Sequence, residues 1–296
     1  MTSPASEGAG AGRWMVDLLL AGHPEPTALV TVLISLLALG AGRGWGTIWV
    51  AAAVLAGHLS VGWSNDYLDR GLDRAARRLD KPLARPADGA TGTGGSGLRA
   101  ATVRTAALAA LGACLPLSLV SGIGFTAAHF TAIAFAMAYN AGLKSKLLSF
   151  APYTVAFGLV PIAVTLSLPM SPWPPMWAIV ASALIGAGGH FTQALPDIPT
   201  DRQLGIHGLP QAIGQRASGA AAAILLLAAN VTVALGPGRP GPIQLAGAAL
   251  AAVLAGGIVT AALTDRPKLS FRLTLAAATL AVLAFLASGH SLAASA

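Results

Sequence analysis

Nine apolar stretches follow one another along this chain with little between them. They lie at roughly 27–42, 46–67, 99–120, 123–140, 150–168, 174–195, 217–236, 242–264 and 271–291, each near the ~20 residues an α-helix needs to cross a bilayer. Soluble domains carry charge on about a quarter of their residues, whereas 10% are charged here and 55% are hydrophobic. The expectation is an all-α integral membrane protein, with nine transmembrane helices packed in a bundle within the lipid bilayer. Trp14–Ala21 adds a short interfacial helix with Arg13 at its polar end. Pro116, Pro152 and Pro161 are expected to kink or end helices.

The basic residues orient this arrangement. With the N-terminus in the cytoplasm, the outer loops hold only Arg43 and Arg239, and the other 16 of the 18 Lys and Arg lie inside. That bias predicts a cytoplasmic N-terminus and an outer C-terminus. The net charge of +7 is spread between hydrophobic segments and not along one polar face, so no nucleic-acid partner is expected. Met1–Gly12 reads as a disordered start without the basic and apolar pattern of a signal peptide. Residues 13–296 read as one membrane domain, with 66–98 a cytoplasmic loop that ends in the flexible stretch Gly89–Gly97. The single Cys114 excludes an internal disulfide and reads as a buried thiol.

Against this apolar background stand two groups of acids. Asn65, Asp66, Asp69 and Asp73 close the second apolar stretch; Asp197 and Asp201 close the sixth. Carboxylates at membrane depth are costly and mark functional sites. On a helix Asp66, Asp69 and Asp73 share one face, with Asn65 at its edge. Pro196 and Pro199 make a regular helix doubtful around the second pair. Carboxylates held together repel one another until a cation neutralises them. Oxygen ligands of this kind suit Mg²⁺, which binds substrate phosphates alongside one or two carboxylates. The metal ligands expected are Asn65, Asp66, Asp69, Asp73, Asp197 and Asp201, on the cytoplasmic side, gripping a diphosphate. Ion-paired helix ends are the plainer alternative, with Arg70, Arg74, Arg77 and Arg78 as neutralising partners.

These residues resemble a known family. Asn65-Asp66-Tyr67-Leu68-Asp69-Arg70-Gly71-Leu72-Asp73 is similar to the first aspartate-rich motif of the UbiA superfamily of intramembrane prenyltransferases. Asp80-Lys81-Pro82-Leu83-Ala84-Arg85-Pro86 resembles its basic element, Tyr139–Lys144 its Y-x-x-x-L-K element, and Asp197–Arg202 its second D-x-x-x-D motif. Gly205-Ile206-His207-Gly208-Leu209-Pro210 matches G-I-x-T-L-P with glycine in place of threonine. The resemblance implies a bundle around a lateral, lipid-facing cavity, with Mg²⁺ linking both motifs to an isoprenyl diphosphate donor. It implies catalytic roles for Asp66, Asp69, Asp73, Asp197, Asp201, Tyr139 and Lys144.

Diphosphate binding is expected of Asn65, Lys81, Arg85, Lys144 and Arg202, because positioned Lys and Arg stabilise a departing phosphate. Trp63, Tyr67, Phe130, Tyr139, Tyr153 and Phe191 are candidates for an electron-rich wall facing a carbocation. His58, His129 and His190 are candidates for acceptor binding or proton removal.

The activity expected is Mg²⁺-dependent prenyl transfer to an aromatic acceptor, in a multi-pass protein of the plasma membrane if the source is prokaryotic. A terpene cyclase needing no acceptor would use the same metal site. A transporter fits less well, since its ion site usually lies near the midplane. The Lys81-Pro82…Arg85-Pro86 form and Gly208 leave the acceptor open.

Overall fold

The computed structural model describes residues 4–85, 98–238, 240–287 and Leu292, with side-chain detail beginning at Arg13. Gly89–Gly97, Pro86 and Arg239 lie outside the described residues.

Among the described residues, the nine apolar stretches appear as nine helices: α2 (Pro24–Gly40), α3 (Thr47–Ala75), α4 (Ala100–Leu119), α5 (Ile123–Asn140), α6 (Ala151–Leu166), α7 (Met176–Ala194), α10 (Gln215–Leu235), α11 (Pro242–Leu263) and α12 (Pro267–Ala287). Helix α1 (Pro4–Ala21) precedes them, and two short helices, α8 (Ile198–Gln203) and α9 (Leu209–Ile213), lie between α7 and α10. The interfacial helix expected at Trp14–Ala21 is the end of α1. The bounds of α1 overlap the segment expected to be disordered, 1–12, whose side chains lie outside the described residues.

Among the described residues, five helices are long and apolar enough to cross a membrane, and the α1–α2 pair, bent by 59°, makes a sixth if it counts as one span. The other long helices fall short of that length or apolarity for identifiable reasons. Helix α6 has only 16 residues, while His129, Tyr139 and Asn140 in α5 and His190 and Gln193 in α7 dilute their apolar character.

A second difference concerns the segment 66–98. Helix α3 has 29 residues and ends at Ala75, so the first acidic motif belongs to a helix and the loop begins only after it. At 1.5 Å per residue α3 is roughly 43 Å long, longer than the ~30 Å hydrocarbon core. Asp69 and Asp73 lie in its last turns.

Neighbours in sequence pack against each other around the bundle: α3 on α4, α5 on α6, α6 on α7, α7 on α10, α10 on α11 and α11 on α12, with α12 returning to α2. Small residues allow close approach. A side chain at Gly219 would run into Ala262 of α11, and one at Gly186 would meet the Tyr153 backbone and Phe157. Large apolar side chains such as Leu108, Ile123, Ile224 and Val253 point outward, as expected where lipid replaces water. Pro161 lies inside α6, Pro116 inside the last turns of α4, and Pro152 in the first turn of α6. Between α2, α6, α7, α10 and α12, a small apolar pocket of about 40 Å³ is lined by Leu37, Pro161, Trp177, Ile185, Val233 and Val282. Cys114 is a buried free thiol.

Candidate active site

Helix periodicity sets the first motif. Asp66, Asp69 and Asp73 emerge from one side of α3, and each meets a cation from elsewhere in the chain. Lys81 Nζ donates to Asp66 Oδ1 at 2.7 Å, Lys144 Nζ pairs with Asp69 Oδ1, and Arg78 lies 3.7 Å from Asp73 Oδ1. Asp66 is 1% exposed, and its Oδ2 has no hydrogen-bond partner. Asn65 steadies the face: its Nδ2 donates to Asp69 Oδ2 at 2.9 Å and to Asn140 Oδ1 at 3.2 Å. Asn140 is in turn fixed by donating to the Val61 carbonyl. The Tyr139–Lys144 element thus docks on the first motif through Asn140 and Lys144. Its turn is possible because Gly142 holds φ +132°, a conformation that favours glycine.

The second motif sits where α7 breaks. Asp197 occupies the cap position of the six-residue α8, with Pro199 in its first turn, and the Asp201 N–H donates to the Asp197 carbonyl at 2.8 Å. The distorted helix end expected from Pro196 and Pro199 is a turn over 195–197 followed by this short helix. Arg78 Nη1 lies 3.3 Å from Asp197 Oδ2, so a single guanidinium joins the two motifs. Asp201 Oδ2 accepts from Gln211 Nε2 at 2.6 Å. Gln211 belongs to α9, whose first N–H, that of Leu209, donates to Ser149 Oγ at 3.1 Å. Ser149 Oγ also pairs with His190 Nε2 at 3.0 Å.

The remaining sites expected from sequence are distributed as follows. Arg85 faces away from the aspartate motifs: Nη1 binds Asp17 Oδ1 of α1 at 2.6 Å and Nε donates to the Leu79 carbonyl. Arg202 Nε donates to the Gln211 carbonyl at 2.7 Å. Neither contacts an acid of the two motifs through these bonds. Tyr139 packs edge-on against Tyr153 (ring centroids 5.1 Å apart) and His190 (5.7 Å), and Phe191 adjoins His190. Trp63 donates to the Leu18 carbonyl and pins α1 to α3, while Tyr67 underlies the Arg70 guanidinium. Phe130 and His129 adjoin each other, and His129 Nδ1 pairs with Ser118. Of these candidates, Tyr139, Tyr153, Phe191 and His190 gather into one aromatic group.

Sequence reasoning missed Arg78 as a bridge, Gln211, Ser149 and Asn140, and also His23, whose Nε2 lies 2.9 Å from Lys81 Nζ and 3.5 Å from Asp66 Oδ1. Asn140 and Gln211 adjoin recognisable motifs and were within reach. His23 and Ser149 carry no sequence signal.

Among the described residues, no three of His, Cys, Asp and Glu are grouped closely enough to hold a metal ion by themselves. The donors nevertheless suit Mg²⁺. Hard carboxylates converge on one rim, the buried Asp66 Oδ2 lacks a partner, and the positions between motifs hold Lys and Arg side chains. Mg²⁺ takes few protein ligands and completes its shell with water and phosphate.

Burial raises the pKa of Asp197 against the opposing charges of Arg78 and Lys81. It pushes Asp201 up to about 6, although the Gln211 hydrogen bond lowers it. Burial alone would lower Arg78, but Asp197 and Asp73 outweigh it and hold its pKa above the ordinary value. A carboxyl with a raised pKa keeps its proton to higher pH and becomes a cation ligand only above that pKa. Mg²⁺ affinity of the substrate-free protein is therefore expected to weaken as pH falls through about 6, by about tenfold per unit for each proton displaced. A calorimetric Mg²⁺ titration from acid to neutral pH checks this, and affinity constant across that range would show that Asp201 is not a ligand.

Residues 27–270 match the model of the UbiA prenyltransferase family, and the chain belongs to that family. Three solved structures share its fold. A UbiA homologue from Aeropyrum pernix K1, in its apo form, aligns with a TM-score of 0.67 at 20% identity, covering 89% of this chain and 98% of that one. A UbiA homologue from Archaeoglobus fulgidus, bound to DMAPP and Mg²⁺, gives 0.66 at 18% identity, covering 92% and 97%. Digeranylgeranylglyceryl phosphate synthase gives 0.65 at 16% identity, covering 93% and 98%. No curated protein sequence matches the chain.

Proposed function

We propose that this protein transfers a prenyl group from an isoprenyl diphosphate to an aromatic acceptor, with Mg²⁺, at a site on the cytoplasmic side of nine membrane spans. The observation that carries the reading is the meeting of Asp73 and Asp197 through Arg78, with Asp66 and Asp69 on the same helix paired to Lys81 and Lys144. Family membership and the DMAPP- and Mg²⁺-bound relative support a diphosphate there.

In this reading Asp66, Asp69, Asp73, Asp197 and Asp201, with Asn65, hold Mg²⁺, which when bound offsets the charge that grows on a departing diphosphate. Lys81 and Lys144 release their carboxylates and turn to the phosphate oxygens as point charges. Arg85 and Arg202, engaged elsewhere, act by fixing the loops that carry Lys81 and Asp201. The hydrocarbon part of the donor lies in the apolar interior. Tyr139 and Tyr153 present electron-rich rings beside it, suited to an allylic carbon that develops positive charge. Exclusion of water by α5, α6 and α7 protects that carbon from hydrolysis.

The test uses purified protein in detergent with Mg²⁺ and geranyl, farnesyl or geranylgeranyl diphosphate, first alone and then with a panel of phenols and naphthoates. Extracts are read by mass spectrometry. Prenylated aromatic product only when an acceptor is present is the expected result. A cyclic hydrocarbon or terpene alcohol formed without acceptor and lost with EDTA would make the protein a cyclase instead.

A further inference from the structure

Four of the five acids of the two motifs, Asp66, Asp69, Asp73 and Asp197, already have a cation of this chain beside them among the described residues. Lys81 serves Asp66 and Lys144 serves Asp69. Arg78 is different, because it is the one side chain among the described ion pairs that touches both motifs, at 3.7 Å from Asp73 and 3.3 Å from Asp197. These two acids arrive from distant parts of the chain, 119 residues separating Arg78 from Asp197. Arg78 stands just past the end of α3, whose last residue is Ala75. Its backbone N–H donates to the Asp73 carbonyl at 2.9 Å, and the preceding Arg77 holds a φ of +53°. The chain therefore turns back sharply so that the Arg78 side chain reaches between the motifs. It is 36% exposed, so solvent and ions have access to it.

From this geometry we infer that Arg78 is a built-in counter-cation, a clasp that joins the two aspartate motifs while no metal is bound and that Mg²⁺ must displace. The inference rests on the metal-site reading above. A guanidinium between two carboxylates and a divalent ion between the same two are alternatives, since each neutralises the charge that keeps the acids apart. The clasp has two consequences. It holds the halves of the site near their working separation when the site would otherwise spring open by like-charge repulsion. It also weakens Mg²⁺ binding in the absence of donor, so that metal and diphosphate enter together, with the freed guanidinium available to pair with phosphate oxygens.

The test titrates Mg²⁺ into the full-length protein in lipid nanodiscs without any donor, by calorimetry, for wild type, Arg78→Gln and the neighbouring Arg77→Gln. Removing a competitor for the ligands raises affinity by the coupling between the two, on the order of tenfold. Arg78→Gln is expected to bind Mg²⁺ that much more tightly, Arg77→Gln to match wild type, and Arg78→Lys, which keeps the charge, to stay near wild type. In an Asp197→Asn background the gain from Arg78→Gln should largely vanish. Equal or weaker Mg²⁺ binding by Arg78→Gln, with wild-type binding intact, overturns the clasp alone. No Mg²⁺ binding by any of these proteins, with or without a farnesyl diphosphate analogue, overturns the metal site and the clasp together.

Discussion

Asp66→Ala is expected to reduce turnover at least about a thousandfold, on the scale of losing a group that stabilises the transition state directly or through a metal, while the protein still inserts in the membrane. Asp66 is the most buried acid of the site, at 1% exposure. One oxygen binds Lys81 and the other is unpartnered, a costly state for a buried carboxylate that a bound cation relieves. The substitution removes a metal ligand and also leaves Lys81 without its acid. Asp197→Ala should cost about as much, since it removes the other half of the grip. The readout is prenyl product formed per unit of enzyme, with insertion checked by extraction of washed membranes. Turnover within a few-fold of wild type in either variant would remove that residue from the metal set.

Gly208→Thr is the second large effect, and its direction runs against the family pattern. The resemblance places threonine here, yet this chain has no room for it. A side chain at position 208 would press into the Lys144 carbonyl oxygen and come within 2.6 Å of Gln211 Oε1 and 3.2 Å of Ser149 Oγ. The first obstacle is backbone and cannot rotate away. Something must shift, either the loop that brings Lys144 to Asp69 or helix α9, whose Gln211 holds Asp201. Displacements of about 1 Å at such groups cost up to roughly a hundredfold in rate. The expected result is a loss of about ten- to a hundredfold in kcat/KM for the donor, together with weaker Mg²⁺ binding. Gly208→Ala should show the same in milder form. Wild-type kinetics for Gly208→Thr would mean that the Lys144 loop moves freely and takes no part in positioning the diphosphate.

Much of this architecture is legible in the amino-acid sequence. The nine apolar stretches mark the nine long helices within a few residues, because burial in lipid leaves a signal about twenty residues long that one substitution cannot hide. The spacing of Asp66, Asp69 and Asp73 also gives their shared face directly. What stays hidden is tertiary. Arg78 sits in a run of arginines, and nothing in Arg74, Arg77 and Arg78 says which one crosses to a residue 119 positions away. Arg85 has the chemistry of a phosphate ligand, but α1 supplies it with Asp17, an acid 2% exposed. The loop expected over 66–98 starts later, because charged residues need not end a helix, and α3 continues as far as Ala75. The apolar signal is weakest in α5 and α7, where His129, Tyr139, Asn140, His190 and Gln193 interrupt the apolar runs.

The central claim is that the two aspartate motifs hold a diphosphate through Mg²⁺. The most direct measurement is the binding of a non-hydrolysable farnesyl thiolodiphosphate to the purified protein by calorimetry, with Mg²⁺ and with EDTA. The expected result is binding that requires Mg²⁺, competes with inorganic diphosphate and is lost in both Asp66→Ala and Asp197→Ala. Equal binding in EDTA, or binding untouched by both substitutions, would contradict it.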